Sequence, residues 1–229
     1  LNLRCVYFID DDLIKPCNIA LSPKKYKMHS DPSRVSSIRR IMNLTDCVLT
    51  STDTLKTRLI EHGVTTDIHS NTINCSPLPL GKSHSPCVDK TKKTIGYMGF
   101  GHAADFEIAL DSIVYLMNKN DDLYLDLMGS IEVPNKLSTY KSRITTYPPI
   151  YDYFDFIGFL NSLSWSLGIC PLLKTNFNDC KSVNKWVEYA SCGIPVVASK
   201  NTIYDECCSD ECGILCDNSF ESWTKAISD

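Results

Sequence analysis

Two lysines and a glutamate recur at helical spacing between Phe177 and Ser199, where together they could hold a phosphorylated ligand. At 100° per residue, Lys181, Lys185 and Glu188 share one helix face. A lysine in the first turn opposes the helix dipole but favours a diphosphate bound there. Glu188 lies roughly 10 Å further along the axis, within reach of the hydroxyls of an attached ribose. The alternative is an ordinary solvent-exposed helix face on which Lys185 and Glu188 form an ion pair.

The same segment predicts a helix that is bounded at both ends and leads into a buried strand. Its apolar face is predicted to consist of Val183, Trp186, Val187 and Ala190. Candidates for the capping residue are Asn178, Asp179 and Ser182. Gly193 and Pro195 end the helix before the strand-like run IPVVAS.

A turn rich in small residues forms a second candidate site. Gly99, Phe100, Gly101 and His102 follow a predicted strand, and Asp105 is predicted to cap the helix after it. Small residues allow backbone N–H groups to approach a phosphate closely. His102 is either a polar loop residue or a donor to the sugar or phosphate.

Three consecutive aspartates, Asp10, Asp11 and Asp12, come directly after the apolar run VYFI. Such a cluster can hold Mn²⁺ beneath a nucleotide sugar, because hard cations take carboxylate oxygens. Aspartates are also common in turns at strand ends for purely local reasons. We favour the local explanation and predict no metal site.

Strand and helix patterns alternate along the chain. A β-α-β-α-β rhythm covers residues 1–75, an aperiodic stretch with prolines and lysines at 76–93 is predicted to be a linker, and the rhythm restarts over 94–229. This alternation predicts an α/β fold with Rossmann-like parallel sheets. Ligands of such sheets bind at the carboxyl ends of the strands.

Composition narrows the function classes. The 229 residues are 43% hydrophobic and 22% charged, enough for one good core or two small ones. A net charge of −4 offers no general attraction for nucleic acid or for an anionic membrane. Neither a membrane span nor a signal peptide is visible, so we predict a cytoplasmic protein.

Twelve cysteines in a chain of this length are predicted to be reduced thiols. The dense cluster lacks the paired spacing of a zinc knuckle, and small buried side chains are the favoured explanation. Its members are Cys207, Cys208, Cys212 and Cys216.

These residues resemble the donor-binding domain of retaining glycosyltransferases of the GT-B type, family four and its near relatives. The similarity covers nearly the whole chain and is most specific from Lys181 to Val197. The DDDL run and the stretch before the linker resemble the end of the acceptor domain in that family. Further matching runs are Gly96–Gly99, Leu167–Leu172 and Gly213–Leu215.

The resemblance implies two lobes around a nucleotide sugar and catalysis without metal. Glu188 matches the glutamate that binds the donor ribose, and Lys181 and Ser182 match positions where the diphosphate is held. Many members carry a second glutamate seven or eight residues earlier, where this chain has Lys181 and Cys180. The part before the linker is also short, which implies a truncated or reduced N-terminal lobe.

We therefore predict a metal-independent glycosyltransferase of polysaccharide biosynthesis that transfers a sugar, with retention, from a nucleotide diphosphate sugar. The acceptor is a glycan or lipid-linked glycan, no cofactor is required, and peripheral attachment to a membrane is left open. The predicted catalytic residues, which stabilise the departing diphosphate, are Lys181 and His102. The predicted donor-binding residues are Gly99, Phe100, Gly101, Asp105, Ser182, Lys185 and Glu188. The candidates on the acceptor side are Asp10, Asp11 and Asp12.

Two alternatives remain open. One is an NAD-dependent oxidoreductase, because Gly99 and Gly101 match a relaxed dinucleotide fingerprint in which Asp126 would bind the ribose. The other is a transferase-like domain that binds nucleotide or glycan without turnover, which would explain the missing glutamate.

Overall fold

The computed structural model describes residues 3–21, 23–70, 92–100, 103–208 and 213–229. The chain forms two compact units. The first comprises the described residues up to 70 together with Lys174–Ser182, and the second comprises the remaining described residues. The segment Lys174–Ser182 therefore departs from the predicted second domain, 94–229. Of the predicted linker, 76–93, residues 76–91 lie outside the described residues.

A three-stranded parallel sheet organises the first unit, in the order β1 (Val6–Ile9), β2 (Cys47–Thr50) and β3 (Ile68–His69). Helices α1 (Pro23–His29), α2 (Pro32–Met42) and α3 (Asp53–Glu61) connect these strands. Asp31 caps α2 and Thr52 caps α3, each through a side-chain oxygen that accepts a backbone N–H. The sequence does not predict α1, because none of its side chains is buried and its lysines interrupt any apolar period.

The segment Lys174–Ser182 packs on α3 in the first unit. The hydroxyl of Thr52 donates a hydrogen bond of 2.8 Å to the carbonyl oxygen of Cys180. Cys180 is fully buried and belongs to the core of this unit, with Val48, Leu55 and Leu59. The segment contains a short 3-10 helix, Asn178–Cys180.

Six parallel strands form the sheet of the second unit, in the order β6-β5-β4-β7-β8-β9. The chain adds strands to one side of β4 and then crosses to add the rest on the other side, so β4 and β7 flank the switch point. The strands are β4 (Lys93–Phe100), β5 (Leu123–Ser130), β6 (Ile144–Tyr147), β7 (Leu167–Cys170), β8 (Val196–Ser199) and β9 (Ile214–Cys216). The helices are α4 (Ala103–Lys119), α5 (Tyr153–Leu163), α6 (Asn184–Ser191) and α7 (Phe220–Ser228).

Both faces of this sheet are covered, as expected for a parallel sheet. Phe106 and Ile113 of α4 pack on one face with Trp223 of α7. On the other face, Tyr189 of α6 lies so close to Gly168 of β7 that a Cβ there would come within 2.7 Å of its ring. No helix in the described ranges has both the length and the apolar character to cross a membrane.

The helix predicted from the charged segment is interrupted. After the 3-10 helix, Lys181 has extended backbone angles (φ −71°, ψ 154°), and α6 begins only at Asn184. The prediction that Lys181 and Lys185 share one helix face is therefore wrong, because only Lys185 belongs to α6. The predicted apolar face is also wrong in part, because Tyr189 is the buried residue of α6 while Ala190 is exposed. The hydroxyl of Tyr189 accepts a hydrogen bond of 3.2 Å from the amide of Met98, which fixes that orientation.

Candidate functional site

Asp105 lies at the switch point of the second unit, between the carboxyl ends of β4 and β7. It belongs to the first turn of α4 and does not cap it, because the helix already includes Ala103. Its carboxylate is fully buried and accepts a hydrogen bond of 2.9 Å from the amide of Leu173, just beyond β7. Asp105 thus ties the segment after β7 to the start of α4. The predicted cap is replaced by a buried structural contact.

A second set of hydrogen bonds braces the same segment. The amide of Leu172 donates to the Ser199 hydroxyl at 2.9 Å, and that hydroxyl donates to Asn218 Oδ1 at 2.6 Å. The Asn218 side-chain amide closes the ring by donating to the Leu172 carbonyl oxygen at 3.0 Å. The carboxyl ends of β7, β8 and β9 are therefore held rigidly together. This gives the switch point a preorganised wall.

The strand ends at Gly99 and Phe100 form another part of this region. Gly129 of β5 has φ +106°, and an added Cβ would collide with the Gly99 carbonyl oxygen, so only glycine fits there. Phe100 is 49% exposed at the end of β4. Gly101 and His102, which the sequence places in the donor site and in catalysis, lie outside the described residues.

Lys185 lies in the first turn of α6, which begins without a side-chain cap. Its ammonium is 4.4 Å from the centroid of the Tyr97 ring, on the central strand β4. A ring face attracts a cation, so this contact holds the lysine at a defined place. The uncapped helix start and the ammonium together favour an anion at this end of α6.

Glu188 follows about one helical turn after Lys185. Burial raises the pKa of its carboxyl to about 7, and the nearby positive charge of Lys185 offsets only part of this shift. In the portion of the chain that the structure describes, no donor side chain hydrogen-bonds this carboxylate. A half-buried carboxylate in this position could accept hydrogen bonds from ligand hydroxyls.

Tyr153 is a member of this region that the sequence analysis missed. It begins α5, and its phenol has a pKa raised by burial and by the negative charge of Glu188. No spacing rule links the two residues, because they belong to helices that are distant in sequence. Only the packed fold places them close together.

Lys181 and Ser182 belong to the first unit, whereas Lys185 and Glu188 belong to the second. The Lys181 ammonium is 2.8 Å from Asp11 Oδ1 and 4.9 Å from the centroid of the Phe177 ring. Its side chain is 17% exposed. The prediction that Lys181 opposes a helix dipole and therefore favours a bound anion is incorrect. Lys181 lies outside α6, and the Asp11 carboxylate already balances its charge.

The three aspartates after β1 differ sharply in their surroundings. Asp12 is fully buried, and its Oδ2 lies 3.4 Å from Arg58 Nε and 3.2 Å from His62 Nε2, while its Oδ1 accepts the Lys15 amide at 3.0 Å. Asp11 pairs with Lys181. Burial and the charge of Asp11 raise the pKa of Asp10.

Within the described ranges, no group of three or more histidines, cysteines or acidic residues could hold a metal ion. The cysteines in these ranges are all free thiols, and Cys212 of the predicted cluster lies outside them. Cys208 and Cys216 are buried, as expected for small core side chains.

Asp126 does not suit the role of a ribose ligand. It lies inside β5 and is 7% exposed. Its Oδ2 accepts hydrogen bonds from Trp165 Nε1 at 2.8 Å and from the Tyr147 hydroxyl at 3.2 Å. The carboxylate is therefore part of the packed interior.

Comparison with solved structures classifies this architecture. WaaG, a glycosyltransferase involved in lipopolysaccharide biosynthesis, matches with a TM-score of 0.62 and 13% identity over 97% of this chain and 64% of its own. Anabaena HepE in complex with UDP-glucose matches with a TM-score of 0.61 and 15% identity over 98% of this chain and 62% of its own. The chain has the GT-B type of fold.

The GT-B likeness also extends to an α,α-trehalose-phosphate synthase (UDP-forming) from Burkholderia xenovorans, with a TM-score of 0.60 and 8% identity over 98% of this chain and 59% of its own. The chain thus spans about 60% of the length of these GT-B structures. Neither a model of a known protein family nor a curated protein sequence matches it.

Proposed function

We propose that this chain is a glycosyltransferase that takes its sugar from a nucleotide diphosphate sugar. The observation that carries the proposal is the start of α6, where Lys185 and Glu188 combine an anion-binding end with a hydroxyl-binding carboxylate. This pairing suits the diphosphate and ribose of one ligand. Support comes from the GT-B fold and from a neighbour solved in complex with UDP-glucose.

Each part of the donor has a proposed contact. Lys185 and the N–H groups that begin α6 stabilise the negative charge that grows on the departing diphosphate. Glu188 accepts hydrogen bonds from the ribose hydroxyls. The backbone at Gly99, Phe100 and Gly101 approaches the donor, and His102 donates to its phosphate or sugar. Asp105 acts indirectly by fixing the segment that follows β7.

Lys181 and Ser182 keep a proposed supporting role near the diphosphate. The Lys181 ammonium already forms an ion pair with the Asp11 carboxylate. To contact the donor, Lys181 must either bind both groups at once or give up its contact with Asp11. The main counter-charge is assigned to Lys185 because it lies in the first turn of α6, which begins without a side-chain cap. Asp10 remains a candidate for contact with the acceptor, whereas Asp11 and Asp12 already have cationic partners.

Catalysis without a metal or other cofactor is part of the proposal. It is supported by Asp11 and Asp12, whose carboxylates contact cationic side chains of the first unit. Retention at the anomeric carbon, membership of family four and a role in polysaccharide biosynthesis are supported by the sequence resemblance. A glycan or lipid-linked glycan acceptor and a cytoplasmic location complete the proposal.

A second candidate is a transferase-like domain that binds a donor without turnover. It is favoured by the absence of the second glutamate at the positions of Cys180 and Lys181. Cys180 is buried and Lys181 is paired with Asp11, so neither presents a carboxylate to a donor sugar. An oxidoreductase is disfavoured by the buried state of Asp126.

A thermal-shift screen with UDP, GDP, dTDP, CMP and NAD tests donor binding, and a turnover assay with UDP-glucose and other sugar donors tests transfer. We expect a nucleoside diphosphate to stabilise the chain in the presence of EDTA. Stabilisation by NAD alone would contradict the proposal. Binding without release of nucleoside diphosphate during turnover would favour the second candidate.

The pKa of Glu188 near 7 predicts pH-dependent binding. The carboxyl is largely protonated below this pH and ionised above it, and the ionised form accepts ribose hydrogen bonds more strongly. Affinity for a nucleoside diphosphate should rise about fivefold, or about 1 kcal/mol, from about pH 6 to about pH 8. Calorimetry should show this rise for the wild type and a flatter profile for Glu188→Gln. Inorganic pyrophosphate, which lacks a ribose, is the control, and identical profiles for the two proteins would contradict the role.

A further inference from the structure

Two adjacent cysteines lie in a turn after β8 and differ in their exposure to solvent. Cys207 is half-buried, whereas Cys208 is 3% exposed and packs in the core of the second unit. The backbone amides of both residues donate to the carbonyl oxygen of Tyr204, at 3.2 Å and 2.9 Å. Tyr204 is itself buried, so the turn has a fixed anchor. Solvent therefore reaches one thiol of the pair, while the other is held next to it in the interior.

The two thiols also contact each other. A hydrogen bond from the Cys208 thiol lowers the pKa of Cys207. Desolvation and the charges of Glu206 and Asp205 oppose this shift without cancelling it. In its neutral form, Cys207 donates to the Tyr204 carbonyl oxygen at 3.4 Å. A thiolate at Cys207 thus has a donor within reach, and the thiolate is the nucleophilic form of cysteine.

Other thiols of the second unit have the opposite tendency. Burial raises the pKa of Cys170 and of Cys216 to about 12. Desolvation also raises the pKa of Cys192. These three thiols are protonated at neutral pH and are poor nucleophiles. Cys207 differs from them because it combines partial exposure, a lowered pKa and a second thiol in contact.

We propose that Cys207 and Cys208 form a reversible site of oxidation by hydrogen peroxide. The Cys207 thiolate attacks one peroxide oxygen, so that an S–O bond forms, the O–O bond breaks and hydroxide leaves with the electron pair. The Cys208 thiol then attacks the sulfenic acid sulfur of Cys207, and its proton leaves with the hydroxyl group as water. The hydroxide takes up the proton that Cys207 released. Two thiols are thereby oxidised to one disulfide, and the peroxide is reduced to two waters.

A disulfide between neighbouring residues is strained. Adjacent α-carbons are about 3.8 Å apart, which is less than the usual separation of about 4.4–6.8 Å across a disulfide. Thiols therefore reduce such a bond easily. This property fits a reversible modification and not a structural cross-link. The inference does not depend on the proposed transferase activity.

Peroxide treatment of the full chain, followed by peptide mapping, tests the site. Protease cleavage after Glu206 and Glu211 releases residues 207–211, which contain these two cysteines and no others. We expect this peptide to become lighter by two hydrogen atoms and to recover its mass after treatment with dithiothreitol. An unchanged mass, a cross-link from this peptide to another cysteine, or a change that dithiothreitol does not reverse would each overturn the proposal.

Single substitutions, each checked for folding by circular dichroism, separate the two roles. Cys208→Ser should stop the reaction at the sulfenic acid, which dimedone traps on Cys207, and Cys207→Ser should abolish both products. Cys192→Ser is the matched control, since this thiol is half-buried in the same unit, and it should leave the oxidation unchanged. Iodoacetamide at neutral pH should alkylate Cys207 at least about tenfold faster than Cys192. Equal alkylation rates, or a dimedone adduct on Cys208 in Cys207→Ser, would contradict the assignment.

Discussion

Lys185→Met should weaken the binding of a nucleoside diphosphate by about 1.5–3 kcal/mol, or about ten- to a hundred-fold in Kd. Methionine keeps an unbranched apolar chain against Tyr97 but removes the charge that lies 4.4 Å from that ring. The loss should be nearly as large for inorganic pyrophosphate, because Lys185 is assigned to the phosphates. Isothermal calorimetry measures both ligands.

The matched control is Lys225→Met, which removes an exposed lysine of the same unit from the last turn of α7. It should leave Kd unchanged within error. Lys181→Met should have a smaller effect than Lys185→Met, because Asp11 already balances the Lys181 charge at 2.8 Å. If Lys181→Met proves the more damaging of the two, the assignment of the main counter-charge to Lys185 is wrong.

Asp12→Ala should lower the free energy of unfolding of the first unit by about 3–5 kcal/mol, the range for removing one partner of a buried ion pair. The change leaves Arg58 and His62 facing an empty carboxylate position, and the Lys15 amide loses its acceptor. Native-state hydrogen exchange at amides of β2 and α3 measures the effect within this unit.

Asp10→Asn is the control for that substitution and should be neutral or slightly stabilising at neutral pH. Asp10 is an exposed residue, but partial desolvation of its carboxyl and the charge of Asp11 raise its pKa. Ionisation of Asp10 as pH rises above the unfolded value of 3.8 therefore lowers the stability of the folded protein. A neutral side chain of the same shape avoids this cost. Comparable losses for Asp10→Asn and Asp12→Ala would show that the three aspartates act as one cluster, as in a metal site.

The periodic parts of the fold are predictable from the sequence because local patterns determine them. The alternation of strand and helix predicts parallel sheets, and the strands of both units pair in parallel. Thr52 and Asp31 precede their helices as expected for caps. A fold of this class needs only repeated local signals, which this chain supplies on both sides of the predicted linker.

The positions of the charged side chains are much less predictable. Lys181 fits a helical period, yet its partner Asp11 lies 170 residues away in the sequence. Asp105 has the sequence context of a helix cap, but its buried carboxylate accepts a hydrogen bond from the amide of Leu173. Such contacts depend on the packing of elements distant in the chain, which a period does not encode. The place of Glu188 on a helix, by contrast, is a local property, and α6 contains it as the spacing predicts.

Because Lys174–Ser182 belong to the first unit, this unit cannot complete its folding when its N-terminal part has just been synthesised. Cys180 is a core residue of that unit, so the unit lacks part of its interior until about a hundred further residues have been synthesised. At the usual speed of translation this delay is roughly 5–20 s. During that interval the core cluster that contains Leu55 and Leu59 of α3 lacks the Cys180 side chain. Expression of residues 1–75 alone would leave the same gap permanently.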